Sequence, residues 1–204
     1  MTCSYRSISV LLLVMVATLD AQSSDTRGVL SEGVYDNAAL GMRIKLPARW
    51  QFLEKESQQQ LGLKPSQPSS DAPNCRGPFC NQDIDVALIS VPGTEPVGTI
   101  FLAAWKLPPE YLNQQKYPLV EFARHMTLGS MGQSGLTPLT GLEPIHLGKT
   151  PAYRLVSMTQ SGGKVFGYVA IHGDHVFLLT ATPFAGTQDK TRTLQESVES
   201  MQLR

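Results

Sequence analysis

The sequence predicts an α+β domain: an antiparallel β-sheet flanked by helices. Three observations lead there. Four strand-like runs late in the chain, LEPIHL, PAYRLVSMT, KVFGYVAIH and HVFLLTATP, are separated by short turn-forming residues, and hairpin connections imply antiparallel pairing. Two other stretches space their apolar residues helically: Leu119, Phe122, Ala123 and Met126, then Leu194, Val198 and Met201. A sheet must cover its apolar faces, and these helices are the segments able to do so.

The elements follow in order. Val34 and Tyr35 start a short strand, Asp36-Asn37 supply turn chemistry, and Met42, Ile44 and Leu46 alternate as a second strand should. Pro47 removes a backbone donor and ends that strand, and Trp50 follows as a large apolar anchor. Residues 51–62 read as a short polar helix or an irregular connection. The serine- and proline-rich run near 64–74 carries almost nothing to bury and reads as a flexible loop inside the domain. DIDVALISVP and TIFLAAWKL are strand-like, separated by PGTEPVG. A helix is expected over 118–128, closed by Gly129, Gly132 and Gly135. Ser161-Gly162-Gly163 and Gly173-Asp174 then join the last three strands as hairpins.

Composition narrows the class. Hydrophobic residues make up 42% of the 204, enough for a sizeable core. Lysine plus arginine equals aspartate plus glutamate at 17 each, so no general field draws the chain to nucleic acid. The first 21 residues have one basic residue, Arg6, followed by an apolar run from Ile8 to Ala17. That run is short for a bilayer span, which takes about 20 apolar residues, and it fits a cleaved secretory signal peptide. An uncleaved anchor or a buried helix is the alternative. The expected organisation is a signal peptide over 1–21, an unstructured lead-in over 22–32 and a single domain over 33–204. The expected location is secreted or periplasmic, with no transmembrane anchor.

The opening of the domain carries a resemblance. Tyr35, Asn37, Leu40, Gly41, Ile44, Pro47 and Trp50 form a hairpin leading to a proline and a buried tryptophan. This pattern resembles the start of the Mog1/PsbP-like α/β/α sandwich superfamily. The late meander ending in HVFLLTATP and the last helix are also similar, so the likeness spans about residues 33–203. Named relatives bind a small GTPase or a photosystem subunit, and the resemblance therefore implies a binding or assembly role. It transfers no catalytic residue. The Ser/Pro-rich loop and the C-x4-C pair depart from both relatives.

Candidate chemistry is sparse. With Cys3 inside the signal peptide, Cys75 and Cys80 remain as an even pair in an oxidising compartment. Their spacing is wrong for a C-x-x-C redox centre, and the intervening Gly-Pro disfavours a helix. Zinc would need two further ligands. A disulfide closing the small loop is the favoured reading, with a redox pair, a metal half-site or free thiols as alternatives. His172 and His175 bracket Gly173-Asp174, where a hairpin sets its flanking residues opposite each other, and both imidazoles are thereby within reach of one metal ion. Exposed hairpin polarity explains the same residues, and the expectation is no metal and no cofactor. His125 sits on the predicted helix beside Arg124 and reads as a surface or partly buried histidine, and His146 lies in a strand with no acidic or nucleophilic neighbour. There is no G-x-S-x-G elbow, and GSMGQSG lacks the Lys-Ser/Thr pair of a phosphate loop. Trp50, Trp105, Tyr111, Tyr117 and Phe122 serve the core or line a pocket, and Pro108-Pro109 makes an exposed connection of the kind partners use.

The reading is a secreted, non-catalytic domain that binds a protein or a small ligand. No catalytic residue is nominated. The alternative is an extracytoplasmic enzyme, either a hydrolase with a dispersed triad or a thiol–disulfide protein using Cys75 and Cys80.

Overall fold

A computed structural model describes residues 28–47, 49–53, 84–90, 97–107, 112–113, 118–124, 135–184 and 190–204. Among them the chain forms two antiparallel sheets and two short helices. The larger sheet holds β4 (Trp50–Phe52), β5 (Ile84–Ser90), β6 (Gly98–Lys106), β7 (Thr137–Pro138), β8 (Glu143–Leu147), β9 (Thr150–Met158), β10 (Lys164–His172) and β11 (His175–Pro183). Its order is β4-β5-β6-β11-β10-β9-β7, with β8 also on β9. The smaller sheet, β1-β2-β3-β12, is built from β1 (Val29–Ser31), β2 (Val34–Asn37), β3 (Met42–Lys45) and β12 (Gln202–Leu203). Residues 119–124 form helix α1, and Thr191–Glu199 form helix α2.

Strand alternation sorts side chains into two cores. On β6, Ile100, Leu102 and Ala104 face one way, and Ala103 and Trp105 the other. β10 and β11 divide likewise: Phe166, Tyr168, Phe177 and Leu179 lie on the first face, Val169, Ile171 and Val176 on the second. These strands are buried on both faces, which is why their sequences read as nearly continuous apolar runs. The first core also takes Tyr35, Met42 and Ile44 of the small sheet and Leu194 and Val198 of α2. The second takes Phe122 and Ala123 of α1. Leu194 and Val198 are fully buried, and truncating such a leucine to alanine costs about 2–5 kcal/mol.

Gly98 lets α2 come this close. A Cβ there would run into the Thr182 carbonyl oxygen and stand 3.0 Å from Leu194 Cδ2. The two sheets meet at their margins as well, where Tyr35 and Phe52 stack edge to face with centroids 6.0 Å apart.

The structure departs from the sequence reading in several places, one being Gln51 and Phe52, which pair with β5 as strand residues and not as a helix or irregular connection. The single sheet is two, because the β2-β3 hairpin pairs with β12 and not with the main sheet. Val29–Ser31, assigned to an unstructured lead-in, pair with β2. Asp36 and Asn37 are strand residues, and the turn falls at 38–41. Asn37, 1% exposed, accepts from the Leu40 N–H at 3.1 Å and donates to the Tyr35 hydroxyl at 3.0 Å. Its turn chemistry is expressed by its side chain. Last, α2 stops at Glu199, so Met201 lies beyond the helix, where its N–H bonds the Val198 carbonyl. The expected four-strand meander, the hairpin turns and the buried face of the last helix are all present. Of the helix expected over 118–128, residues 119–124 are helical, Pro118 precedes the helix, and 125–128 lie outside the described residues. The signal peptide, the 64–74 loop, Cys75 and Cys80 also fall outside them.

Candidate functional site

The outer edge of β9 is broken. β8 pairs with it from Thr150 to Arg154, and β7 pairs with Ser157 and Met158. Between them the chain detours through Leu139–Leu142. At the gap the Val156 carbonyl accepts from both the Leu139 and Thr140 N–H groups, at 2.8 and 3.3 Å. The Val156 N–H donates to the Thr140 hydroxyl oxygen at 3.2 Å. A side-chain hydroxyl thus stands in for the missing ladder partner, and the backbone of Val156 is fully engaged.

The detour opens a groove of about 530 Å³ between this edge, the start of β10 and the first turns of α2. Leu139, Val156 and Phe166 give it apolar walls, and Lys164, Arg192 and Gln195 add polar ones. Leu139 is 46% exposed, one of few large apolar side chains so open among the described residues. Lys164 has no ion-pair partner among them. Arg192 holds Glu196 through Nε at 2.7 Å, with both side chains largely exposed. Among the described residues, no histidine, cysteine or carboxylate lines the groove. A smaller hollow of about 360 Å³ lies by β3 and β12, lined by Arg43, Lys45, Ser200 and Gln202.

Gln195 links the groove to an ionic cluster. Its Nε2 donates to Glu199 Oε1 at 3.0 Å. Glu199 accepts from Arg154 Nη1 at 2.6 Å, while Glu143 accepts from Arg154 Nε and Nη2 at 3.0 and 2.6 Å. The Glu143 hydrogen bond is the largest influence raising the Arg154 pKa. One guanidinium thereby ties β8, β9 and α2 together, using the planar fork that suits two carboxylates. Tyr168 lies opposite Arg154 across the strands. Burial pushes its phenol well above the ordinary value of 10.0; the Glu199 charge adds to the rise and Arg154 opposes it. The hydroxyl is buried and makes no hydrogen bond among the described residues.

The residues nominated from sequence are mostly separated. His172 and His175 do face each other across the hairpin, but their rings are engaged elsewhere. His172 Nδ1 lies 3.2 Å from the Thr150 hydroxyl and Nε2 lies 2.9 Å from the Arg204 carbonyl oxygen. His175 Nδ1 lies 2.8 Å from Asp174, whose other oxygen meets Lys106 Nζ at 2.9 Å. That lysine, hydrogen-bonded to it, holds the Asp174 carboxyl below its ordinary value. Among the described residues no group of three metal-ligating side chains occurs. Thr150 and His172 make a hydroxyl–imidazole pair, but a carbonyl occupies the position a triad gives to a carboxylate.

Trp50 belongs to the first core and Trp105 and Phe122 to the second. The sheet lies between Trp50 and the other two, so Trp50 shares no pocket with them. His146 is exposed on β8. His125, Tyr111, Tyr117, Pro108 and Pro109 lie outside the described residues, as does most of GSMGQSG. The groove residues went unnoticed because they form no motif. The one local sign was Leu139, a lone apolar residue in the turn-like run TPLTG.

No family model matches the chain, and neither does any curated protein. Solved structures do. The cyanobacterial PsbP protein (CyanoP) from Synechocystis sp. PCC 6803 superposes with a TM-score of 0.55 at 11% identity, over 87% of this chain and 96% of that one. A protein from Bacteroides thetaiotaomicron VPI-5482 gives 0.43 at 12% identity, over 80% of this chain and 45% of that one. LpqN, involved in cell envelope biogenesis of Mycobacterium tuberculosis, gives 0.38 at 16% identity, over 78% and 81%. The resemblance at Tyr35, Asn37, Leu40, Ile44 and Trp50 corresponds to residues that are buried here. The chain has the PsbP/Mog1-like fold.

Proposed function

We propose that this chain is an exported, non-catalytic binding or assembly domain that holds a protein or a small ligand in the groove beside α2. The groove is the observation that carries the reading: a concave site with apolar walls and a few polar groups. Export rests on the amino-terminal apolar run after Arg6. In this reading Cys75 and Cys80 form a stabilising disulfide, and helical cover on both faces of the main sheet completes the α/β/α sandwich.

The test is to purify the protein from the extracytoplasmic fraction of its host and examine it by native mass spectrometry. A bound small molecule or stoichiometric partner is expected, and Leu139→Glu, which puts a charge on the groove wall at an exposed position, should empty the site. Equal occupancy in Leu139→Glu would move the binding site away from the groove. Protein found only in the cytoplasm would remove the exported role.

A further inference from the structure

We propose, building on the binding role above, that the groove's ligand is a small amphiphilic anion, an aliphatic carboxylate lying on Leu139, Val156 and Phe166 with its head at Lys164 and Arg192. Three features select this class. The walls between α2 and β9 are apolar, so the body of the ligand gains by leaving water. The charged groups among the described residues that line the groove, Lys164 and Arg192, are both cations. Lys164 has no ion-pair partner among the described residues. Arg192 uses Nε on Glu196, and its terminal nitrogens suit a carboxylate.

The backbone argues against an extended peptide at this place. Peptides that add to a sheet edge take their affinity from unpaired N–H and C=O groups. At Val156 both are already used, by Leu139 and Thr140. A ligand here must be recognised by side chains. A volume of about 530 Å³ is in the range of small-molecule sites, roughly 300–1,000 Å³.

The experiment is a methyl NMR titration of the purified protein with hexanoate, octanoate and decanoate, each below its micellar concentration. Decyltrimethylammonium and decanol serve as charge controls. Saturable shifts are expected at the Leu139 and Val156 methyls, with affinity rising about twofold or more per added methylene as buried chain lengthens. Lys164→Gln, at an exposed position, should weaken decanoate about tenfold by removing a charged hydrogen bond. Decyltrimethylammonium should leave those methyls unshifted, and decanol should bind more weakly than decanoate. Equal binding of either control, shifts elsewhere than the groove, or no loss in Lys164→Gln would each overturn the proposal. If carboxylates fail while native cargo is still lost in Leu139→Glu, the groove binds something else; the ligand class falls and the binding role stands.

Discussion

His172 donates from Nε2 to the Arg204 carbonyl oxygen at 2.9 Å, joining the end of β10 in the large sheet to the residue after β12 in the small one. A carbonyl can only accept, so Nε2 carries a proton, while Nδ1 lies 3.2 Å from the Thr150 hydroxyl. Arg204 in turn donates its N–H to the Gly41 carbonyl at 2.8 Å. The short strand β12 is held at its end by both sheets. His172→Ala should speed hydrogen exchange at the Arg204 amide and lower stability by about 1 kcal/mol. Unchanged exchange at Arg204 would mean that pairing with β3 alone keeps β12 in place.

Tyr168 ties stability to alkaline pH. Its folded-state pKa is raised, chiefly by burial, so above the ordinary value of 10.0 the folded chain holds a proton that the unfolded chain releases. The contribution is complete below that value and declines as pH climbs past it. Tyr168→Phe should flatten the alkaline decline in denaturant-measured stability while changing little at neutral pH, since the hydroxyl has no hydrogen-bond partner among the described residues. An alkaline limb of the same slope in the variant would assign it to other groups.

Two strand glycines make a matched test of close packing. A Cβ on Gly98 meets Pro183 Cα at 2.9 Å and Leu194 Cδ2 at 3.0 Å, whereas one on Gly167 meets only the Leu155 carbonyl oxygen at 3.9 Å. Gly98→Ala should therefore destabilise by about 1–3 kcal/mol through overpacking, with Gly167→Ala near neutral. Equal melting temperatures for the two variants would show that β11 and the Leu194 side chain give way around Gly98 at no cost.

The cysteine pair is tested by thiol counting. Mature protein is expected to show no free thiol before reduction and two from Cys75 and Cys80 after denaturation with reductant. Ready reduction of the native protein by a mild thiol would favour the thiol–disulfide reading, and insulin reduction lost in Cys75→Ser would establish it.

Much of the main sheet was legible because its instructions are local. The alternation in PAYRLVSMT, the apolar run of HVFLLTATP and the Gly173-Asp174 turn each specify a strand or a hairpin through near neighbours. The helical spacing of Leu194 and Val198 announced a buried face in the same way. The site was less legible. His172 and His175 were placed opposite each other from sequence, and so they are; that their rings turn to Arg204, Thr150 and Asp174 depends on residues brought in by folding.

From the sequence alone came the α+β class, the hairpin order of the late strands and the scarcity of catalytic motifs. Tertiary structure decided that the sheet is two sheets, that the turn after Tyr35 begins at Ala38, and that a groove opens at Leu139. The reason is range. Strands of two residues, such as Gln202–Leu203 and Thr137–Pro138, are too short to carry a period and exist because a partner edge awaits them. The Lys45 amide reaches the Ser200 hydroxyl across 155 residues of chain. The groove likewise belongs to no segment, since it is the space left where β9 loses its neighbour and α2 begins.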